Sequence, residues 1–178
     1  MEEKFSKILL QKEGSFITFR QDEVIMSNGK KAIRDTVQHP GAVAVLACTS
    51  LEEILLVKQY RYPIGRITWE IPAGKLERGE DPVRCAQREL AEETGFTAAN
   101  WQKLISFYTA PGFSNEIIHL YLATDLQEKQ ASPDPDEIIE YVKLPLAQVY
   151  QKVKNGEIID AKTIIGVLWL VKLKGLQL

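Results

Sequence analysis

Cysteine and histidine are scarce, with two of each in 178 residues. Cys48 and Cys85 form no CxxC pair, which argues against a thiolate metal site and a disulfide scaffold and leaves buried, reduced thiols as the expectation. His39 sits before a proline at a boundary and His119 lies inside an apolar run, each without a second His or Cys nearby. Both are therefore expected to be structural rather than metal-ligating. Neither sign of charge dominates: 22 basic against 24 acidic residues give a net charge of -2. The basic residues are scattered, which disfavours a nucleic-acid partner. The longest apolar stretch, residues 163–171, falls short of the ~20 residues that span a bilayer. The N-terminal MEEKFSKILLQKEG lacks the apolar core and cleavage site of a secretory leader. A soluble, cytoplasmic protein without a membrane partner is the expectation. No internal repeat is visible, and 45% hydrophobic content over this length is enough for a proper core.

Acidic residues, by contrast, are crowded into one place. Glu77, Glu80, Glu89, Glu92 and Glu93 fall within residues 77–93. The second half of that stretch reads as a helix over residues 82–94, with Asp81 as N-cap, Pro82 in the first turn and Gly95 just past the end. The spacing puts Glu89, Glu92 and Glu93 on roughly one face, while Val83, Ala86 and Leu90 form a stripe to bury. Like charges so placed cost an isolated helix only about 0.2 to 0.5 kcal/mol each. A packed domain can tolerate that, so spacing alone leaves two readings open. Either the repulsion is simply carried, or a hard divalent cation, Mg²⁺ or Mn²⁺, converts it into affinity.

Around this stretch the chain alternates between strands and turns. Residues 5–11, 16–26 and 31–38 read as a small antiparallel sheet, with Asn28-Gly29 marking a hairpin. Residues 41–47 and 54–59 are apolar runs suited to strands covered on both faces. Strands are also expected at 68–71, 101–108, 117–123 and 138–144, with a polar loop over residues 125–137. Helices are expected over 145–155 and 161–174, each followed by glycine. In the second, Ala161, Ile164, Ile165, Leu168 and Val171 or Lys172 are at helical spacing and are read as the core stripe. The fold class is thus α+β, an α/β/α sandwich with a mixed central sheet between helices and a small N-terminal antiparallel sheet. Residues 1–38 are assigned to that sheet and residues 39–178 to the main domain.

The acidic stretch resembles the signature of the Nudix hydrolases at every specified position. Gly74 is followed after five residues by Glu80, and after seven more by Arg88-Glu89-Leu90-Ala91-Glu92-Glu93-Thr94-Gly95-Phe96. The resemblance implies a strand-loop-helix module that binds divalent metal and hydrolyses a nucleoside diphosphate linked to another group. Pro111, sixteen residues beyond Gly95, and the segments around Arg61, Ala73 and Glu116 are similar to the ADP-ribose pyrophosphatase branch. That likeness implies a nucleoside diphosphate sugar as substrate, with Arg61 on the diphosphate and Glu116 on the substrate or its terminal ribose.

Phosphoanhydride hydrolysis calls for an in-line water and for charge on the phosphate oxygens to be offset. Glu89 and Glu93 are the first choice as metal ligands, joined by the Ala73 carbonyl, with Glu92 next; Glu77 and Glu80 are weaker candidates. Arg88 is expected to brace carboxylates rather than touch substrate. Glu137, at the end of the acidic loop that also holds Asp134 and Asp136, is the choice for general base, a role the branch assigns to an acidic residue of this loop. Members of the branch are homodimers in which an aromatic of the N-terminal sheet stacks on adenine, and Phe16 and Phe19 stand in that region. Two alternatives are kept: hydrolysis of another nucleoside diphosphate sugar such as GDP-mannose, and a Nudix-fold sensor that binds without cleaving.

Overall fold

The computed structural model describes residues 2–49, 53–129 and 139–176. The chain groups into two compact units, Met1–Gly41 with Phe107–Ile117, and Ala42–Ser106 with Ile118–Leu178.

The first unit is built on an antiparallel meander of β1 (Lys4–Glu13), β2 (Thr18–Ile25) and β3 (Lys31–Gln38). Its second hairpin closes where the Asn-Gly pair predicts, but only Gly29 takes a positive φ, 79°. The Gly29 amide donates to the Met26 carbonyl at 2.8 Å and the Lys30 amide donates to the Asn28 side chain at 3.0 Å. This is a turn followed by a left-handed glycine, not the two-residue turn in which both central residues are left-handed. Every residue of β1 is exposed, Phe5, Ile8, Leu9 and Leu10 included. The segment Phe107–Ile117 is tied to β3 by the Val37 amide, which donates to the Phe113 carbonyl at 2.7 Å.

The second unit holds the core. β4 (Ala42–Ala47) is buried along its whole length, as an unbroken apolar run requires. It pairs parallel to β9 (Ile117–Glu128) and antiparallel to β7 (Ala73–Lys75), in a mixed sheet of order β7-β4-β9-β8, where β8 is Phe96–Tyr108. A separate antiparallel sheet has the order β10-β5-β6, from Glu140–Pro145, Glu53–Arg61 and Arg66–Glu70. On one face of β4, Val43, Val45 and Ala47 pack with Cys85, Ala86 and Leu90 of α1 (Pro82–Thr94). Toward the other, Leu46 meets α3 (Ala161–Leu173), which follows α2 (Leu146–Lys154). The sheet thus lies between helices.

Several local expectations change. β8 begins directly after Gly95, and β9 continues to Glu128 through Asp125, whose φ is 57°. Asp tolerates that left-handed conformation, and the Asn100 side chain donates to its carboxylate at 3.0 Å, so the polar sequence there is strand rather than loop. The rest of the expected loop, from residue 130, lies outside the described residues. The face of α3 also differs: Thr163, Gly166, Val167 and Leu170 are buried, whereas Ala161 and Leu168 are exposed. Residues 164–171 are apolar almost throughout, so periodicity had no polar face to register against. Gly166 marks the true contact. Both cysteines are free and buried, and burial pushes the thiols up, to about 11 at Cys48 and about 12 at Cys85. Among the described residues no helix is long and apolar enough to cross a membrane.

A Cβ built at Gly166 would lie 3.1 to 3.2 Å from three side-chain carbons of the fully buried Leu46. Gly166→Val should therefore destabilise the protein by about 1–3 kcal/mol through overpacking, despite the gain in helix propensity over glycine. Urea unfolding measures this. An unchanged midpoint would mean that the α3 contact with β4 is looser than described.

Candidate active site

The acidic helix is capped as its sequence predicts. The Asp81 side chain accepts from the amides of Val83 and Arg84 at 3.1 and 3.3 Å, and Gly95, with φ 70°, donates to the Ala91 carbonyl. These caps fix the register of α1 and so the direction of its carboxylates.

Glu89 and Glu93 point at the start of β7. Glu93, only 9% exposed, accepts the Ala73 amide on Oε2 at 3.0 Å. Glu89 packs so tightly over Gly74 that a Cβ there would fall 1.8 Å from its carboxyl carbon. The same short segment is held from two further elements. The Val45 amide donates to the Pro72 carbonyl at 2.8 Å, and the Ile71 amide donates to the Thr163 hydroxyl at 2.9 Å. Ala73 and Gly74 of β7 are therefore brought together with Glu89 and Glu93 of α1.

Arg88 braces the acidic group. Its Nε and Nη2 donate to the two oxygens of Glu80, each at 3.0 Å, while Nη1 donates to Glu89 at 2.8 Å and to Glu92 at 2.9 Å. Nη2 also reaches the Lys75 carbonyl at 3.3 Å. The Glu80 bonds, together with the neighbouring carboxylates, hold the guanidinium above its ordinary value. In return Arg88, with the Glu77 amide, holds the Glu80 carboxyl down to about 2.

The donor set around Ala73 is all oxygen. Among the described residues no three His, Cys, Asp or Glu side chains are grouped so as to hold a metal ion. Two carboxylates, Glu89 and Glu93, are what lie against Ala73 and Gly74. That fits Mg²⁺, which commonly binds one or two carboxylates and completes its shell with waters and substrate phosphates.

Arg61, 40% exposed at its side chain, is fixed from behind. Its Nε and Nη2 donate to Oε1 and Oε2 of the buried Glu70 at 2.7 and 2.6 Å. Glu70 also accepts from Lys162 and from the Thr68 hydroxyl, and Lys162 donates to Asp160 at 3.0 Å. Burial alone would push Glu70 up, but Arg61, Lys162 and Thr68 outweigh it and hold the carboxyl at about 2. Sequence reasoning missed Glu70, Lys162, Asp160 and Thr163. The available signals were weak: an aspartate before an apolar helix, which is an N-cap pattern, and a lysine two residues into that helix.

Glu116 and Pro111 belong to the other unit. Glu116 accepts from the Thr109 hydroxyl, and its Oε1 lies 3.4 Å from Nε2 of His39. Nδ1 of His39 accepts the Gly41 amide at 3.0 Å, which puts a proton on Nε2, facing Glu116. His39 thus orients Glu116 instead of only marking a boundary. Pro111 is exposed in the turn after Ala110, Phe16 meets the His39 ring edge-on, and Phe19 is half-exposed on β2. His119 bonds the Ser106 hydroxyl at 2.7 Å, and burial lowers its pKa. Glu137, like Asp134 and Asp136, lies outside the described residues. A cleft of about 470 Å³ runs past Gln87, Arg88, Glu92, Trp101 and Lys129 but includes neither Glu89 nor Glu93.

Known proteins resemble this chain over most of its length. The NUDIX domain model matches residues 38–165. A methanol dehydrogenase activator of Bacillus methanolicus is 46% identical over 171 residues, covering 95% of this chain and 92% of the relative. An ADP-ribose pyrophosphatase of Bacillus subtilis is 45% identical over 166 residues, covering 92% and 90%. A solved structure of an ADP compounds hydrolase superposes with a TM-score of 0.82 at 22% identity, covering 97% of this chain and 95% of that one, and shares the fold.

Because Glu70 is held well below the ordinary glutamate value of 4.5, its contribution to stability is present above that pH and is lost as pH falls toward about 2. Glu70→Gln should therefore be less stable than the parent at neutral pH, with the gap closing on acidification from 4.5 to 2. Urea unfolding at a series of pH values checks this. A gap that stays constant would show that Glu70 is not ionised in the fold.

Proposed function

This chain belongs to the family of proteins built on the NUDIX domain, and from that premise we propose that it hydrolyses the diphosphate of ADP-ribose, giving AMP and ribose 5-phosphate. The observation that carries the reading is the meeting of Ala73 and Gly74, at the start of β7, with Glu89 and Glu93 of α1. The 45% identity with an ADP-ribose pyrophosphatase supports the choice of substrate.

In this reading Glu89, Glu93 and the Ala73 carbonyl hold Mg²⁺, or Mn²⁺ in its place, with Glu92 beside them. Bound there, the ion supplies charge to offset the phosphate oxygens and to acidify the attacking water. Arg61 presents its outer edge to the diphosphate, and Glu116 and Pro111 contribute to substrate binding. Arg88 keeps the carboxylates in place through the bonds it makes to three of them. Glu137 takes the proton from the water as the oxygen attacks phosphorus and the bridging P–O bond breaks. The enzyme is placed in the cytoplasm, in keeping with two cysteines that remain free.

We also propose a homodimer formed through residues 1–38. All ten residues of β1 are exposed, including Phe5, Ile8, Leu9 and Leu10, and a small sheet with so little covered is marginal alone. Light scattering at micromolar concentration should give twice the chain mass of 20.1 kDa. A fully active monomer would refute the dimer.

Side-by-side turnover of ADP-ribose and GDP-mannose, with Mg²⁺ and with chelator, tests the activity. Metal-dependent cleavage with a higher kcat/KM for ADP-ribose is expected; preference for GDP-mannose, or binding without cleavage, would select one of the alternatives. Glu93→Gln should remove most turnover and leave the thermal midpoint similar or higher, since a like charge is lost. Gly74→Ala should leave stability nearly unchanged, because the group it displaces is the flexible end of Glu89, yet lower kcat by about 100-fold through that displacement. Near-parental activity in both variants at saturating Mg²⁺ would sink the metal assignment.

A further inference from the structure

Lys162 is an ammonium 8% exposed in the first turn of a largely apolar helix. Burying a cation is costly unless it is fully paired. It is paired twice, with Glu70 and, at 3.0 Å, with Asp160, the N-cap of the same helix. Glu70 in turn gives both oxygens to Arg61. Four charged groups thus form a line from the first turn of α3 to the exposed guanidinium: Asp160, Lys162, Glu70 and Arg61. Their charges cancel.

Resting on the reading of Arg61 as the diphosphate contact, we propose that Lys162 is a positioning residue for substrate binding, acting through Glu70 on Arg61. Two physical reasons carry this. The first is orientation: with Lys162 on one side and Thr68 on another, Glu70 has its carboxylate plane fixed, so both oxygens face the planar guanidinium in a bidentate pair. The second is charge. Without Lys162 the remaining three groups carry a net negative charge directly behind the cation that faces an anionic substrate. Arg61 would then be both less well placed and more fully neutralised. A helix that contributes no group to the metal cluster still sets how strongly the substrate is held.

Lys162→Met should raise KM for ADP-ribose by about tenfold, the effect of losing one charge-assisted contact, while kcat stays within about twofold. In an Arg61→Ala background the same substitution should change KM by less than about twofold, since its effect runs through Arg61. Lys162→Gln, neutral but still a hydrogen-bond donor, should give the same KM shift and serves if the methionine variant fails to fold. A purely structural ion pair predicts otherwise: a lowered thermal midpoint with unchanged KM, or a factor that multiplies in full on top of Arg61→Ala. Either result, or an equal loss in kcat, overturns the role of Lys162 while leaving Arg61 in place. If Arg61→Ala itself leaves KM unchanged, the reading of the substrate site fails, and the role of Lys162 fails with it.

Discussion

A single guanidinium makes the acidic helix tenable. Arg88 donates to Glu80, Glu89 and Glu92 at once, and through the Lys75 carbonyl it ties the helix to β7. Without it, Glu89 and Glu92 would repel within one turn, and the loop carrying Glu80 would lose its bidentate tie to the helix. Its bonds are charge-assisted and partly shielded, which makes them stronger than exposed ion pairs on a helix surface. The loop, the helix and the short strand therefore form one unit around one cation. That unit sets where Glu89 and Glu93 lie relative to Ala73.

The rigidity of the segment Ile71-Pro72-Ala73 has a separate origin. Its polar groups are distributed over three elements: the Ile71 amide to Thr163 of α3, the Pro72 carbonyl to Val45 of β4, and the Ala73 amide to Glu93 of α1. Each element is anchored by apolar burial, with Val45, Leu90 and Val167 all fully covered. Core packing and site geometry are thus the same fact seen from two sides. Orphaning any of these buried groups would cost about 1–3 kcal/mol, so the segment has little freedom to drift.

What the sequence makes legible is whatever local chemistry dictates. The bounds of α1 follow from Asp81, Pro82 and Gly95, and those of β3 from the Asn28-Gly29 turn. The carboxylates facing Ala73 follow from helical spacing once the register is known. The rest depends on tertiary contacts. The face of α3 was misassigned because its apolar residues run nearly all round, leaving only Gly166 to mark where β4 approaches. The continuation of β9 through Asp125 looked like loop because polar residues suit an exposed strand end as well. Glu70 and Lys162 are 92 positions apart, and no pattern in the chain announces that they meet.

The two charged systems of the larger unit differ in a way that divides their tasks. Around α1, Glu80, Glu89 and Glu92 share one guanidinium, that of Arg88, so within this group negative charge exceeds positive. Around Glu70, two carboxylates meet two cations and nothing is left over. An excess of fixed negative charge draws counter-cations, whereas a balanced system with an exposed guanidinium at one end keeps a local donor for an anion. A hydrolase of diphosphates needs both within reach of one substrate, because metal ions and the anion they neutralise must be held at once. The two systems stand on different elements, the acidic group on α1 and its preceding loop, the balanced one on β5, β6 and α3, so Arg61 has in Glu70 a carboxylate partner distinct from those Arg88 holds. Glu70 acts as the decoy: it satisfies the inner edge of Arg61 with a carboxylate that has no other cation to bind except Lys162.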